Sequence, residues 1–122
     1  MSVKLPLAAV AGLLAMAVAP AADPSYSKDV RPLLVKYCVE CHTQKQAKAG
    51  YNFDAFAGLT KVGKSGATVV PGDPAKSLLE KVLSGKGKVM PPKKYPWQPT
   101  EDEADVVRAW LRAGGKDDSA GK

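Results

Sequence analysis

Cys38-Val39-Glu40-Cys41-His42 is the run from which the rest of this sequence is read. Two cysteines three positions apart, with histidine directly after the second, form the Cys-x-x-Cys-His signal of covalent c-type haem attachment. If the run is helical, positions three apart share a face, so both thiols reach the vinyl groups of one porphyrin and form thioethers. His42 then stands beside them, and imidazole is the usual proximal ligand of haem iron. Two other chemistries use the same residue types. A thiol redox pair belongs to a strand-helix context that this sequence does not show. A tetrahedral zinc site needs a fourth ligand beyond Cys38, Cys41 and His42, and the sequence has neither a second cysteine pair nor another histidine.

His42 being the only histidine removes bis-histidine ligation within the chain. Methionine is the other usual axial ligand of electron-transfer cytochromes. Of the three methionines, Met1 and Met16 fall in a segment expected to be removed, which leaves Met90. Pro91 and Pro92 stiffen its loop, which lowers the cost of holding a weak thioether against iron. A neutral sulfur donor favours the ferrous state and raises the potential. The competing reading, that Met90 is a gap-filling core side chain like most methionines, stays open at this point.

Upstream, Lys4 followed by the apolar run from Leu5 to Val18 and the small residues Ala19-Pro20-Ala21 reads as a targeting segment. Residues 1–21 are therefore expected to direct export to the periplasm, with cleavage near Ala21 or Ala22. The run contains Pro6 and Gly12, is short for a bilayer span and lacks a basic stop-transfer flank, so a retained membrane anchor is the lesser reading. Loss of Lys4 takes the formal net charge from +6 to +5. What remains is about a hundred residues, one domain, with a modest apolar core that a covalent porphyrin would supplement. The oxidising compartment would ordinarily make two cysteines a disulfide, but their spacing with His42 argues for haem.

Three helices are expected. The first starts at Ser27 or Asp29, carries Val30, Leu33, Leu34 and Tyr37, and has Pro32 in its first turn with Asp29 as cap. Residues 43–72 read as loops around the cofactor, with one short turn near Asp54 to Leu59. Pro71-Gly72-Asp73-Pro74 gives a turn, a cap and a first-position proline for a second helix through Ser77, Leu78, Leu79, Val82 and Leu83, ended by Gly85. Residues 86–94 stay extended. Thr100 and Glu103 form a capping box for the last helix, whose apolar face is Ala104, Val107, Trp110 and Leu111 and whose stop is Gly114-Gly115. The domain spans 25–115, and residues 116–122 are expected to be a disordered tail.

Lys86, Lys88, Lys93 and Lys94 flank Met90 with no acid among them. The plain reading is a solvated surface. With Met90 on iron, the cluster rims the haem face and steers acidic redox partner proteins. Trp97 and Tyr95, between prolines nearby, either cover the haem edge or shield the loop. Nucleic acid is a poor partner for an exported chain without a recognition motif.

Arg31-Pro32-Leu33-Leu34, Cys38-Val39-Glu40-Cys41-His42, Pro71-Gly72-Asp73-Pro74, Ser77-Leu78-Leu79, Met90-Pro91-Pro92 and Trp110-Leu111-Arg112-Ala113-Gly114 together resemble the planctomycete-type cytochrome c domain. The resemblance implies an all-α, small cytochrome c fold of three to four helices around one covalently attached haem c, with the first and last helices packed across each other. It also implies that Met90, the methionine of the Met-Pro-Pro motif, is the distal iron ligand opposite His42. Thr43 stands where many relatives carry glycine. The function expected is a soluble periplasmic electron carrier with no substrate chemistry. The alternatives are a haem enzyme or gas sensor in which Met90 dissociates, and a haem subunit of a larger oxidoreductase.

Overall fold

A computed structural model of the chain describes residues 2, 3, 8, 11–15, 22–43, 45–85 and 88–119. Lys4, Met1, Met16, Ala21 and most of the apolar targeting run lie outside the described residues, as do Lys86 and residues 120–122. Among those described, the architecture is mostly helical, with four α-helices and one two-stranded antiparallel sheet.

The chain enters the domain through a π-helical turn, Tyr26–Val30, which runs directly into α1, Arg31–Tyr37. The cap is Ser25 rather than Ser27 or Asp29. Its hydroxyl accepts from the Lys28 amide at 3.3 Å, while the Asp29 carboxylate accepts from the Ser25 amide at 2.7 Å. That reciprocal pair sets the start of the helix earlier than proline placement suggests. Pro32 lies in the first turn of α1, where a missing donor costs nothing. The wider turn lets Tyr26 and Val30 both face the core.

Downstream, α2 spans Phe56–Thr60, matching the short turn expected near 54–59. The strands β1, Val62–Gly63, and β2, Gly66–Ala67, then form a hairpin where the sequence reads as loop. Asp73 accepts from the Lys76 amide and Pro74 opens a 3₁₀ turn, Pro74–Lys76, as the turn chemistry predicts. The helix does not continue from there. Ser77 is extended and fully buried, its hydroxyl accepting from the Val70 amide at 2.9 Å and facing the Asp73 carbonyl at 2.9 Å. Holding the 70–73 loop in place is what breaks the helix, and α3, Leu78–Leu83, begins afresh. Gly85, at φ +72°, ends it in a conformation that suits glycine. The last helix, α4, spans Glu101–Arg112 with the Thr100/Glu103 capping box formed in both directions.

Tyr26, Val30, Leu34, Leu59, Leu79, Val107, Trp110 and Leu111 join Tyr51, Phe53 and Val69 in one buried cluster. The Tyr26 ring meets Phe56 edge-on at 4.9 Å and lies 5.8 Å from Trp110, tying the entry turn, α2 and α4 together. Between α3 and α4, the half-buried Arg108 guanidinium donates to Glu80 at 2.7 Å and to Asp105 at 2.7 Å. The first and last helical segments also meet through polar groups: Tyr37 donates to Glu103 at 2.8 Å and Lys36 lies 3.3 Å from the same carboxylate. Beyond α4, the Lys116 carbonyl accepts from the Trp110 indole at 3.1 Å, and the Asp118 carboxylate meets the Ser27 amide and the Ser25 hydroxyl.

Candidate functional site

The two cysteines and the histidine occupy one tight turn immediately after α1. The sequence predicts them on the helix itself, but Cys38 caps it with φ −121° and ψ −41°. The amide of Cys38 still bonds back to Leu34 at 2.8 Å, so the turn is fixed to the helix end. Cys41 and His42 then both donate to the Cys38 carbonyl, at 3.2 and 3.0 Å. One acceptor gathering both amides folds residues 38–42 back on themselves, bringing the three side chains to one end of α1.

His42 is positioned from the far side by the extended segment 51–53. The Phe53 amide donates to the His42 carbonyl at 2.7 Å, and the His42 ring nitrogen Nδ1 lies 3.3 Å from the Tyr51 carbonyl. A carbonyl only accepts, so the proton sits on Nδ1 and the lone pair is left on Nε2. This is how metal-binding histidines are held, with one nitrogen anchored by the backbone and the other presented. Tyr51 and Phe53 alternate to the same side of their segment, and both rings flank the imidazole, at 6.2 and 5.1 Å between centroids. Burial lowers the His42 pKa, partly opposed by the Tyr51 and Lys48 backbone bonds, which favours the neutral form that ligates metals.

Burial, and secondarily the neighbouring Cys41, push the Cys38 thiol up to about 12. For Cys38 this is the opposite of the depressed pKa that marks a thiol activated for disulfide exchange. Cys38 instead borders a small apolar cleft between α1, α3 and α4, lined by Leu33 and Leu34, by Leu79 and Leu83, and by Ala104 and Val107. Paired thiols in one turn, an imidazole anchored through Nδ1 and an adjoining apolar cleft fit a covalently held haem.

Met90 stands on a separate segment. It is half-buried, and its amide bonds to the Val82 carbonyl at 3.3 Å, attaching it to the helix that supplies Leu79 and Leu83 to the cleft. The Met90–Pro91 peptide is cis. The loop that follows is closed by Gln98, whose amide donates to the Pro92 carbonyl at 3.1 Å and to that of Tyr95 at 3.0 Å. Trp97 is 73% exposed and Tyr95 39%. Lys88, Lys93 and Lys94 are all exposed, and Lys94 lies over the Tyr95 ring.

The supporting shell of His42 is what sequence reading missed. Tyr51 has its hydroxyl clasped by the hairpin, accepting from the Ser65 amide at 2.8 Å and donating to the Gly66 carbonyl at 3.0 Å. Gly63 is required there, because a Cβ would fall 2.4 Å from the Tyr51 ring. The alternation of Tyr51 and Phe53 about Asn52 is the signal that marks a half-buried extended segment.

Residues 38–94 match the family model described as Planctomycete cytochrome C, just under half of the chain and the same family the ordered motifs resemble. A match to that family points to a c-type cytochrome and hence to haem c. No curated protein and no solved structure matches the chain.

Proposed function

We propose that this chain is a soluble monohaem cytochrome of the periplasm that carries single electrons, its iron ligated by His42 and Met90. The observation that carries the reading is the His42 imidazole, fixed by the Tyr51 carbonyl on Nδ1 within the turn that holds both cysteines. When bound, the haem supplies a one-electron cycle between ferric and ferrous iron. The chain's residues do the rest. Cys38 and Cys41 tether the group through thioethers, and His42 presents Nε2. Met90 offers a neutral sulfur from a loop closed by Gln98, favouring the ferrous state. Leu33, Leu79, Leu83 and Val107 keep the cleft dry, and the exposed lysines beside Met90 offer a basic face to acidic redox partners.

Visible spectra of the purified protein, oxidised and reduced, with and without carbon monoxide, test this. The native ferrous protein is expected to be six-coordinate and slow to take up carbon monoxide. Met90→Ala is expected to bind it rapidly and to have a lower potential. Rapid uptake by the native protein would overturn the carrier reading, and an unchanged Met90→Ala spectrum would place another ligand on the iron.

A further inference from the structure

The His42 shell has an outer member. Arg31, the first residue of α1, sends its Nη1 across to the Phe53 carbonyl at 2.7 Å, the length of a good charge-assisted hydrogen bond. Phe53 is thereby held on both sides of its backbone: its carbonyl by Arg31 and its amide by the His42 carbonyl. Two residues earlier in the same segment is Tyr51, whose carbonyl receives the His42 Nδ1 proton. The Arg31 main chain is itself fixed, because it follows the π-turn whose amide hydrogen bonds return to Ser25 and Tyr26. A single arginine thus joins α1, which carries the attachment turn, to the segment that orients the imidazole.

We infer that Arg31 is a positioning residue for His42, locking segment 51–53 so that the Tyr51 carbonyl stays on Nδ1 and sets the donor strength of Nε2. The inference rests on the proposed ligation of iron by His42. A firm bond from Nδ1–H to a carbonyl makes the imidazole a stronger donor, which stabilises ferric iron and lowers the potential. Loosening the segment weakens that bond, so loss of Arg31 raises the potential. The sign separates this role from a plain charge effect. Removing a nearby positive charge disfavours ferrous iron and would lower the potential instead. A merely structural arginine would cost stability and leave the potential where it was.

The test compares native protein with Arg31→Gln and Arg31→Lys, all haem-loaded, by redox titration and by nuclear magnetic resonance of the ferrous state. Arg31→Gln is expected to shift the potential upward and to speed solvent exchange of the His42 Nδ1 proton. Arg31→Lys, which keeps the charge and a donor for the Phe53 carbonyl, is expected to return both toward native values. A potential that is unchanged or lowered in Arg31→Gln, with His42 still on the iron, overturns the positioning role and leaves the ligation standing. Native protein without a histidine ligand signature overturns the ligation, and the positioning role with it. Should Arg31→Gln fail to fold, the native protein still decides: the Arg31 guanidinium and Phe53 amide protons are expected to exchange slowly. A guanidinium exchanging like an exposed arginine's defeats the proposal.

Discussion

Tyr51 does two separable things at the residue scale. Its main-chain carbonyl orients His42, while its hydroxyl bridges the Ser65 amide and the Gly66 carbonyl of the hairpin. Tyr51→Phe removes only the second. It leaves the Ser65 amide and the Gly66 carbonyl without their partner, a cost of about 2 kcal/mol where groups are buried and less where water replaces the hydroxyl. Chemical denaturation is expected to show that loss, with the redox potential within error of native. A shifted potential would mean that the hydroxyl, and not the backbone alone, holds the imidazole in place. The residues of the attachment turn were legible because their chemistry is local: Cys-x-x-Cys-His states its spacing in five letters. Tyr51 and Phe53 were not, because each acts through a backbone carbonyl, which has no letter of its own, and the role of Arg31 was hidden with them, because its guanidinium donates to one of those carbonyls.

Among the elements, α4 was the most legible, since its start is specified by Thr100 and Glu103 within one turn and its inward face by the spacing of Ala104, Val107, Trp110 and Leu111. The start of α1 was less so, because Ser25 and Asp29 form a wider reciprocal cap and the first turn is π-helical. The hairpin was illegible: strands of two residues carry no period, and tertiary bonds to Tyr51 hold them. Glu103 gives the elements a pH dependence. The Thr100 amide first, then the Tyr37 hydroxyl and Lys36, hold its carboxyl below the ordinary range. A folded-state pKa below the unfolded one stabilises the fold above the ordinary carboxylate range, and that contribution drains away as pH falls through the folded value. Glu103→Gln keeps the shape and removes the charge. The native midpoint of thermal unfolding is therefore expected to fall more steeply on acidification than that of the variant. Parallel curves would show that the α1–α4 contact contributes nothing through its charge.

For the molecule as a whole, the proposed carrier role makes the distribution of charge the feature that would steer redox partners. From Lys81 through Thr100 the sequence carries five lysines, Lys81 included, and no acid, whereas Glu101, Asp102, Glu103 and Asp105 crowd the start of α4. The acids are partly spent internally, on the cap, on Lys36 and on Arg108. Lys88, Lys93 and Lys94 form no ion pair with any described residue, which leaves their charge for a partner. Beside them Trp97 is 73% exposed, a large amphipathic side chain of the kind that anchors interfaces when it is covered. Steering by the lysines and anchoring by the indole predict different kinetics. Lys93→Glu with Lys94→Glu is expected to slow reduction by an acidic redox protein at low salt by tenfold or more, the lower end of the gain electrostatic steering gives. The difference should vanish as added salt shortens the Debye length to about 3 Å at 1 M. Trp97→Ala is expected to weaken the complex at every ionic strength, chiefly by faster dissociation. Stopped-flow reduction across a salt series distinguishes these outcomes, and a native rate insensitive to ionic strength would remove the basic face from the docking mechanism.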